Sequence, residues 1–287
     1  MHTFESPDPI AVTVDIAGNT RITASDRTDT VVTVEPLRPS RASDVKAAEQ
    51  TVVDYSDSRL FVKSPRSWSP FGGSQSVVVT LDVPTGSALD ATSPMGDFHV
   101  EGELGACKVK TSMGTIRLDA TGELRASTSF GDVTVDRVTG NAEVTTSSGD
   151  IRLGEIDGSA VVKNSNGATE LDSVSGDVRA KSSNGNVRIG RAGGGVNART
   201  ANGDVRVAQV GRGEVVVETA TGELEVGIAD GVAAWLDVST KFGSVRSSLS
   251  STDRPDPTDG TVTVRARSSF GDIVLRRATP DPSRATT

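Results

Sequence analysis

Ser129-Phe130-Gly131-Asp132-Val133-Thr134-Val135 is followed by Ser147-Ser148-Gly149-Asp150-Ile151-Arg152-Leu153, and later by Ser183-Asn184-Gly185-Asn186-Val187-Arg188-Ile189. The same phrase opens at Gly96, Gly114, Gly131, Gly149, Gly167, Gly185 and Gly203, in steps of 18, 17, 18, 18, 18 and 18 residues, and continues at Gly222, Gly243 and Gly271 in steps of 19, 21 and 28. A fixed short period is the signature of a repeat architecture and outranks any local reading. A second series, Gly105, Gly122, Gly140, Gly158, Gly176, Gly194 and Gly213, runs half a period out of phase. Each repeat therefore holds two strands and two turns.

Alternation assigns the faces, because successive side chains on a strand point opposite ways. Two and four residues after the first-series glycine stand Ile116 and Leu118, Val133 and Val135, Ile151 and Leu153, Val187 and Ile189, Val205 and Val207. Seven and five residues before it stand Cys107 and Val109, Leu124 and Ala126, Ala142 and Val144, Val178 and Ala180, Val215 and Val217. Two inward aliphatic rows per coil predict an all-β, single-domain parallel β-solenoid, two strands and about 18 residues to the coil, with a thin core. Stacked at about 4.8 Å, about ten coils would form a rod on the order of 45 Å long. A core of Val, Ile, Leu and Ala accounts for an aromatic content of only 3%.

The corners carry their own pattern. Asn166, Asn184 and Asn202 precede glycines, as turns with positive φ require. Two residues before the glycine a small residue recurs, Ser112, Ser129, Ser147, Ser165, Ser183, Ala201, Ala220 and Ser269. A serine ladder there is expected to bond backbone groups that the corner leaves unpaired. Phe130, Phe242 and Phe270 are read as corner packing.

The less regular segments fall at the ends. Residues 1–90 read as an N-terminal cap and irregular first coils, 91–276 as the regular solenoid and 277–287 as a disordered tail. An open terminal coil would expose sheet edges, so a cap is expected. Ser43 to Glu49 is the one helical stretch, with Ser43 as N-cap. Ser64 to Ser76 and Ser248 to Gly260 read as loops. Thr261 to Ala266 and Gly271 to Leu275 supply closing strands.

The stretch ending Gly18-Asn19-Thr20-Arg21-Ile22, the Pro84-Thr85-Gly86-Ser87 junction and the Ser-x-x-Gly-Asp-Val coils resemble the bacterial putative-adhesin family of β-strand-repeat proteins, a domain of unknown function common in actinobacteria and bacilli. The resemblance covers roughly residues 4 to 276. It implies a β-solenoid and an adhesin-like binding role, and brings no catalytic residue with it. Envelope-stress signalling with a membrane partner rests on the same analogy.

The 287 residues carry a formal net charge of −8 with two histidines and one cysteine, which argues against a general nucleic-acid binder. Cys107 occupies an inward position and is read as a small core residue. No stretch of about 20 apolar residues is present, so no membrane span is expected. The first ten residues show neither a basic region nor an apolar run, which points to the cytoplasm, with the cell surface by a non-obvious route as the alternative.

Aspartates after the glycine (Asp97, Asp132, Asp150, Asp177, Asp204 and Asp272) invite a calcium reading. A calcium-binding roll needs a Gly-Gly-x-Gly-x-Asp nonapeptide, however, and this chain has Gly-Asp-Val, so a structural turn role is favoured and no metal site or cofactor is expected. A polysaccharide-acting enzyme would need paired outward carboxylates. The outward row instead reads His99, Arg117, Thr134, Arg152, Glu170, Arg188, Arg206, Glu225 and Arg246. Such an enzyme would have to recruit the Asp253 to Asp259 loop. Arg117, Arg152, Arg188, Arg206 and Arg246 form the candidate ligand face, for an anionic polymer or lipid headgroup. The other reading is a solvated face balanced by Glu170 and Glu225. The sequence thus predicts a non-enzymatic scaffold offering flat sheet faces to a protein or polymer partner.

Overall fold

The computed structural model describes residues 1–65, 75–249 and 261–278. Two compact units, Met1–Gly149 and Asp150–Thr287, are each built on the same plan. In each, strands before the corner glycine form one sheet and strands after it form another.

In the first unit the post-glycine sheet runs, in spatial order, His2–Glu5, Asp29–Pro36, Val77–Pro84, Gly18–Ser25, Phe98–Leu104, Ile116–Thr121 and Val133–Val138. The pre-glycine sheet runs Val52–Ser56, Arg59–Lys63, Ala11–Asp15, Ala88–Met95, Cys107–Met113, Leu124–Phe130 and Ala142–Ser148. The regular coils pair in parallel, with Ile116 opposite Val133 and Cys107 opposite Leu124. At the N-terminal end the pairing turns antiparallel: His2–Glu5 on Asp29–Pro36, Asp29–Pro36 on Val77–Pro84, and Val52–Ser56 on Arg59–Lys63. The Phe4 and Tyr55 rings stack at 4.9 Å, and the Tyr55 hydroxyl donates to the Glu5 carbonyl, so the outermost strands of the two sheets are tied together.

The helix spans Ala42–Glu49, and its N-cap is Arg41, which makes no side-chain cap bond. Ser43, the expected cap, lies inside the first turn and donates toward the Asp44 carboxylate at 3.4 Å. Asp44 is the reason. It is fully buried, its Oδ1 accepts from the backbone N–H of Ser76 at 3.2 Å, and its Oδ2 lies 3.6 Å from the Arg38 guanidinium. The helix is fastened through that carboxylate rather than by a cap.

In the second unit the post-glycine sheet runs Ile151–Ile156, Thr169–Val174, Val187–Ala192, Val205–Val210, Leu224–Ile228, Ile273–Arg277 and Val245–Ser247, and the pre-glycine sheet runs Ala160–Asn166, Val178–Asn184, Val196–Asn202, Gly213–Thr221, Thr261–Phe270 and Ala233–Phe242. The expected closing strands therefore do not close the array. They insert one place inward, between the coil at Gly222 and the coil at Gly243. Hydrophobicity explains the exchange. Val262, Val264, Ala266, Ile273 and Leu275 are buried on both sides, whereas Trp235 is 68% exposed and Val245 45% exposed in the outermost coil. The more uniformly aliphatic coil takes the site that removes more apolar surface from water. Arg277 ends its strand with its guanidinium donating to the carbonyls of Ala229 and Val232.

The inward rows expected from alternation are buried throughout. A third row was not anticipated: Leu104, Thr121, Val138, Ile156, Val174, Ala192, Val210 and Ile228, near the end of each post-glycine strand, are buried as well. In each of these strands from Ile116–Thr121 to Val205–Val210 two unburied residues separate the second and third inward side chains, Asp119 and Ala120 between Leu118 and Thr121 for example, so the strand changes the parity that simple alternation would assign.

The corner ladder sits one position from where it was expected. The residues two before the glycine are exposed or half-buried. The buried row is three before it: Ser93, Thr111, Thr128, Thr146, Asn164, Ser182, Thr200, Thr219 and Ser268. Hydroxyls in this row donate to the carbonyl of the corner glycine in the adjoining coil, Thr128 to Gly114 and Thr146 to Gly131, each at 3.2 Å. That glycine must be glycine. Gly131 has φ 145°, and a Cβ there would overlap the Gly114 carbonyl oxygen.

The expected corner packing of the phenylalanines takes a different form. Phe130, Phe242 and Phe270 are more than half exposed, and Phe242 and Phe270 stack on each other at 4.9 Å along the outside of the corner. Residues 66–74, 250–260 and 279–287, which include most of both expected loops and of the expected tail, lie outside the described residues.

Candidate functional site

The aspartates after the corner glycine are spent on the backbone. Asp97 accepts from the N–H of Thr115 at 2.8 Å, Asp150 from Ala168 at 2.9 Å, Asp177 from Gly195 at 2.8 Å, and Asp204 from Glu223 at 2.8 Å. Asn186 does the same for Asp204 at 2.9 Å. Each carboxylate or amide thus caps an amide one coil along, at a corner where the ladder is interrupted. Among the described residues, no three His, Cys, Asp or Glu side chains gather as a metal site.

The arginine row follows the register. Arg152 stands opposite Glu170, Glu170 opposite Arg188, Arg188 opposite Arg206, and Arg206 opposite Glu225. Glu170 bridges two arginines, at 3.6 Å from Arg152 and 3.3 Å from Arg188. Arg152 also reaches Asp150 at 2.9 Å, and Glu225 lies 3.2 Å from Arg206 while also pairing with Arg276. Arg246 pairs with Asp272. Arg117, in the other unit, stands between His99 and Thr134 and meets no carboxylate at ion-pair distance among the described residues. So the structure gathers Arg152, Arg188 and Arg206 into one row and interleaves them with carboxylates. Exposed pairs of this kind contribute about 0–1 kcal/mol each. The Asp253 to Asp259 loop lies outside the described residues.

The opposite sheet of the second unit carries a different arrangement. Lys163 stands opposite Lys181, and Lys181 opposite Arg199; beside them Val161 faces Arg179, and Arg179 faces Asn197. Lys163, Arg179, Lys181 and Arg199 are exposed. Arg199 is held by Glu218 at 3.4 Å and by the Asn197 amide oxygen at 3.1 Å. Lys163, Arg179 and Lys181 meet no carboxylate at ion-pair distance among the described residues. The side chains surround a shallow recess of about 260 Å³ over Val161. Reading the sequence four residues before the glycine, where Lys163, Lys181 and Arg199 recur in consecutive coils, would have found this row. The residues six before it, Arg125, Glu143 and Arg179 among them, show no such run.

Cys107 is buried, and burial pushes its thiol up to about 11. It belongs to the core.

A family model described as Toastrack DUF4097 matches residues 8–276. Solved structures to which the chain is similar include a putative adhesin from Bacteroides fragilis NCTC 9343 (14% identity, covering 96% of this chain and 95% of that one, TM-score 0.37). Another is a putative lipid binding protein from Parabacteroides distasonis ATCC 8503 (12% identity, 95% of each chain, TM-score 0.40). A putative adhesin from Parabacteroides merdae ATCC 43184 is 13% identical, with 96% and 94% covered and a TM-score of 0.35. No curated protein matches.

Proposed function

We propose that this chain, which belongs to the Toastrack DUF4097 family, is a non-enzymatic scaffold that presents flat sheet faces to a protein or polymer partner. The observation that carries the reading is the register. Parallel pairing without offset holds outward side chains of consecutive coils in straight rows, Arg152 to Glu170 to Arg188 on one sheet and Lys163 to Lys181 to Arg199 on the other. A row fixed at strand spacing of about 4.8 Å is a template for an extended ligand and is rigid before the ligand arrives. The carboxylates of the first row are each clamped by arginines, which suits a structural role better than acid–base work.

Variants that scramble the outward rows of either sheet while keeping every inward residue test the reading. Binding of surface polymers to immobilised protein should fall in at least one variant with the melting temperature unchanged. Binding that survives scrambling of both faces, or cleavage of a bound polymer, would overturn it. The compartment we infer is the cytoplasm, with the cell surface as the alternative. Among the described residues no helix is long and apolar enough to cross a membrane. Fractionation of source cells with protease shaving decides: protection of the native protein retains the cytoplasm, and shaving from intact cells places it at the surface.

A further inference from the structure

We propose that Lys163, Arg179 and Lys181, flanked by the Ser165 and Ser183 hydroxyls, form a binding site for the phosphate groups of a linear phosphate-bearing polymer. The proposal rests on the scaffold reading and names the ligand class for one face.

The first argument is the cost of the arrangement. Like charges directly opposite one another on neighbouring strands are destabilising. Lys163, Lys181 and Arg199 are in direct register across three consecutive strands. On the other sheet the same spacing is relieved by Glu170 between Arg152 and Arg188. Here no carboxylate intervenes until Glu218, and that one is taken by Arg199. The run of unpaired cations stands in a chain whose formal net charge is −8. An anion laid along the row would remove the repulsion that the fold itself leaves in place.

The second argument is the donor set. Ser165 and Ser183 lie two residues beyond Lys163 and Lys181 on the same strands, so they share the outward face and are exposed. Ammonium groups acting as point charges, with hydroxyl donors beside them, suit the several oxygens of a tetrahedral phosphate. The Arg179 guanidinium can bind a phosphate bidentately beside the two lysine point charges. The recess of about 260 Å³ admits such a group between the long side chains.

The third argument separates a chain from a membrane. Glu214 and Glu218 lie on Gly213–Thr221 of the same sheet, separated from the strand of Arg179 and Lys181 by Val196–Asn202. A flat anionic bilayer pressed on this face would meet those carboxylates, and no bulky apolar side chain flanks the cations: Val161 and Asn197 do. A narrow polymer crossing the strands along Lys163 and Lys181 avoids both carboxylates.

Labelled linear polyphosphate titrated into the full chain, read by fluorescence anisotropy, tests the proposal. Wild type should bind, and log affinity should fall with log salt with a slope of about −2, as expected for three neutralised phosphates on a single chain. The Lys163→Gln, Arg179→Gln, Lys181→Gln variant should lose about tenfold or more in affinity with its melting temperature unchanged. Lys163→Arg with Lys181→Arg, which keeps the charge, should bind within about twofold of wild type. Arg152→Gln, Arg188→Gln, Arg206→Gln on the opposite sheet should bind as wild type does. Equal binding by the first variant, or an equal loss in the last, would overturn the site. Polygalacturonate bound as tightly as polyphosphate would overturn the phosphate assignment. Full competition by inorganic phosphate at equal phosphorus concentration would overturn the polymer. Capture by anionic lipid vesicles without polyphosphate binding would replace the polymer with a membrane. If wild type binds none of these, the patch fails while the scaffold reading stands. If the polyphosphate is bound and shortened, the patch stands and the non-enzymatic reading fails.

Discussion

The side-chain amide of Asn164 donates to the carbonyl of Gly167 at 3.1 Å, and the hydroxyl of Ser182, one coil further on, is buried without a partner. In neighbouring coils that carbonyl is the acceptor for the hydroxyl of the next coil, as Thr200 shows on Gly185 at 3.2 Å. Asn164 reaches the acceptor from its own coil and leaves Ser182 with nothing to bond. A buried hydroxyl without a hydrogen bond costs free energy, and removing it is close to neutral or favourable. Ser182→Ala should therefore leave stability unchanged or raise it by up to about 1 kcal/mol. Thr128→Val, which takes away the donor to Gly114, should cost about 1–3 kcal/mol. Denaturant midpoints of the two variants measure the difference, and equal losses would contradict the assignment.

Two glycines with positive φ should respond in opposite degrees to alanine. At Gly131 a methyl would overlap backbone of the adjoining coil, whereas at Gly231, φ 73°, it would meet nothing within 4 Å. Gly131→Ala should lose more than about 4 kcal/mol, enough to prevent folding of a marginal domain. Gly231→Ala should cost about 1 kcal/mol, the strain of a left-handed conformation alone. Thermal melts of purified protein, or soluble yield for the first variant, check both.

The Cys107 thiol, raised to about 11 by burial, should be inert to disulfide-exchange reagents at neutral pH in the native protein and react at once in denaturant. Its native labelling rate then reports how often that coil opens. Fast labelling without denaturant would show that the coil is open far more often than its packing implies.

Asp272 ties the outermost coil to its neighbour. The N–H of Ser244 donates to its carboxylate at 2.8 Å, and this bond, then the Ser244 hydroxyl and Arg246, hold the carboxyl below the usual carboxylate range. A folded-state value below the unfolded one means that the contribution is present above the unfolded value, about 4 for an aspartate, and is lost as pH falls through the folded one. Hydrogen exchange at the Ser244 amide should accelerate on acidification relative to interior amides. Asp272→Asn, which can still accept the bond, should abolish that dependence. A pH-independent Ser244 in wild type would rule the linkage out.

The fold was legible because one contact pattern is repeated coil after coil. Glycine spacing sets the corners, and alternation sets Ile116, Leu118, Val133 and Val135 inward. Hydroxylic residues occupy both adjacent corner positions, so residue type alone does not place the ladder; inward residues seven and five before the glycine imply a third at three before it, where Thr128 and Thr146 lie. The third buried row does not follow from a period of two, since two unburied residues separate Leu118 from Thr121 and the equivalent pairs in the following coils. Glycine spacing does not reveal the exchange of the last two coils, because it does not encode which neighbour a parallel strand joins; the trace is compositional, the aliphatic Val262, Val264, Ala266, Ile273 and Leu275 against Trp235 in the outermost coil. The arginine row was visible one residue at a time, but its neutralisation by Glu170 and Glu225 depends on the same alignment of coils that exposes Lys163 and Lys181 together.

That exchange of coils has a consequence for biosynthesis. A solenoid whose coils follow sequence order can add each one to the growing stack as it leaves the ribosome. Here the strands Ala233–Phe242 and Val245–Ser247 are made before their pairing partners Thr261–Phe270 and Ile273–Arg277 exist. They must either wait or dock first on Gly213–Thr221 and Leu224–Ile228 and later be displaced. Nascent chains truncated at residue 249 would then carry a final coil in a place it must give up, and maturation would end with a swap of neighbours rather than with one more addition.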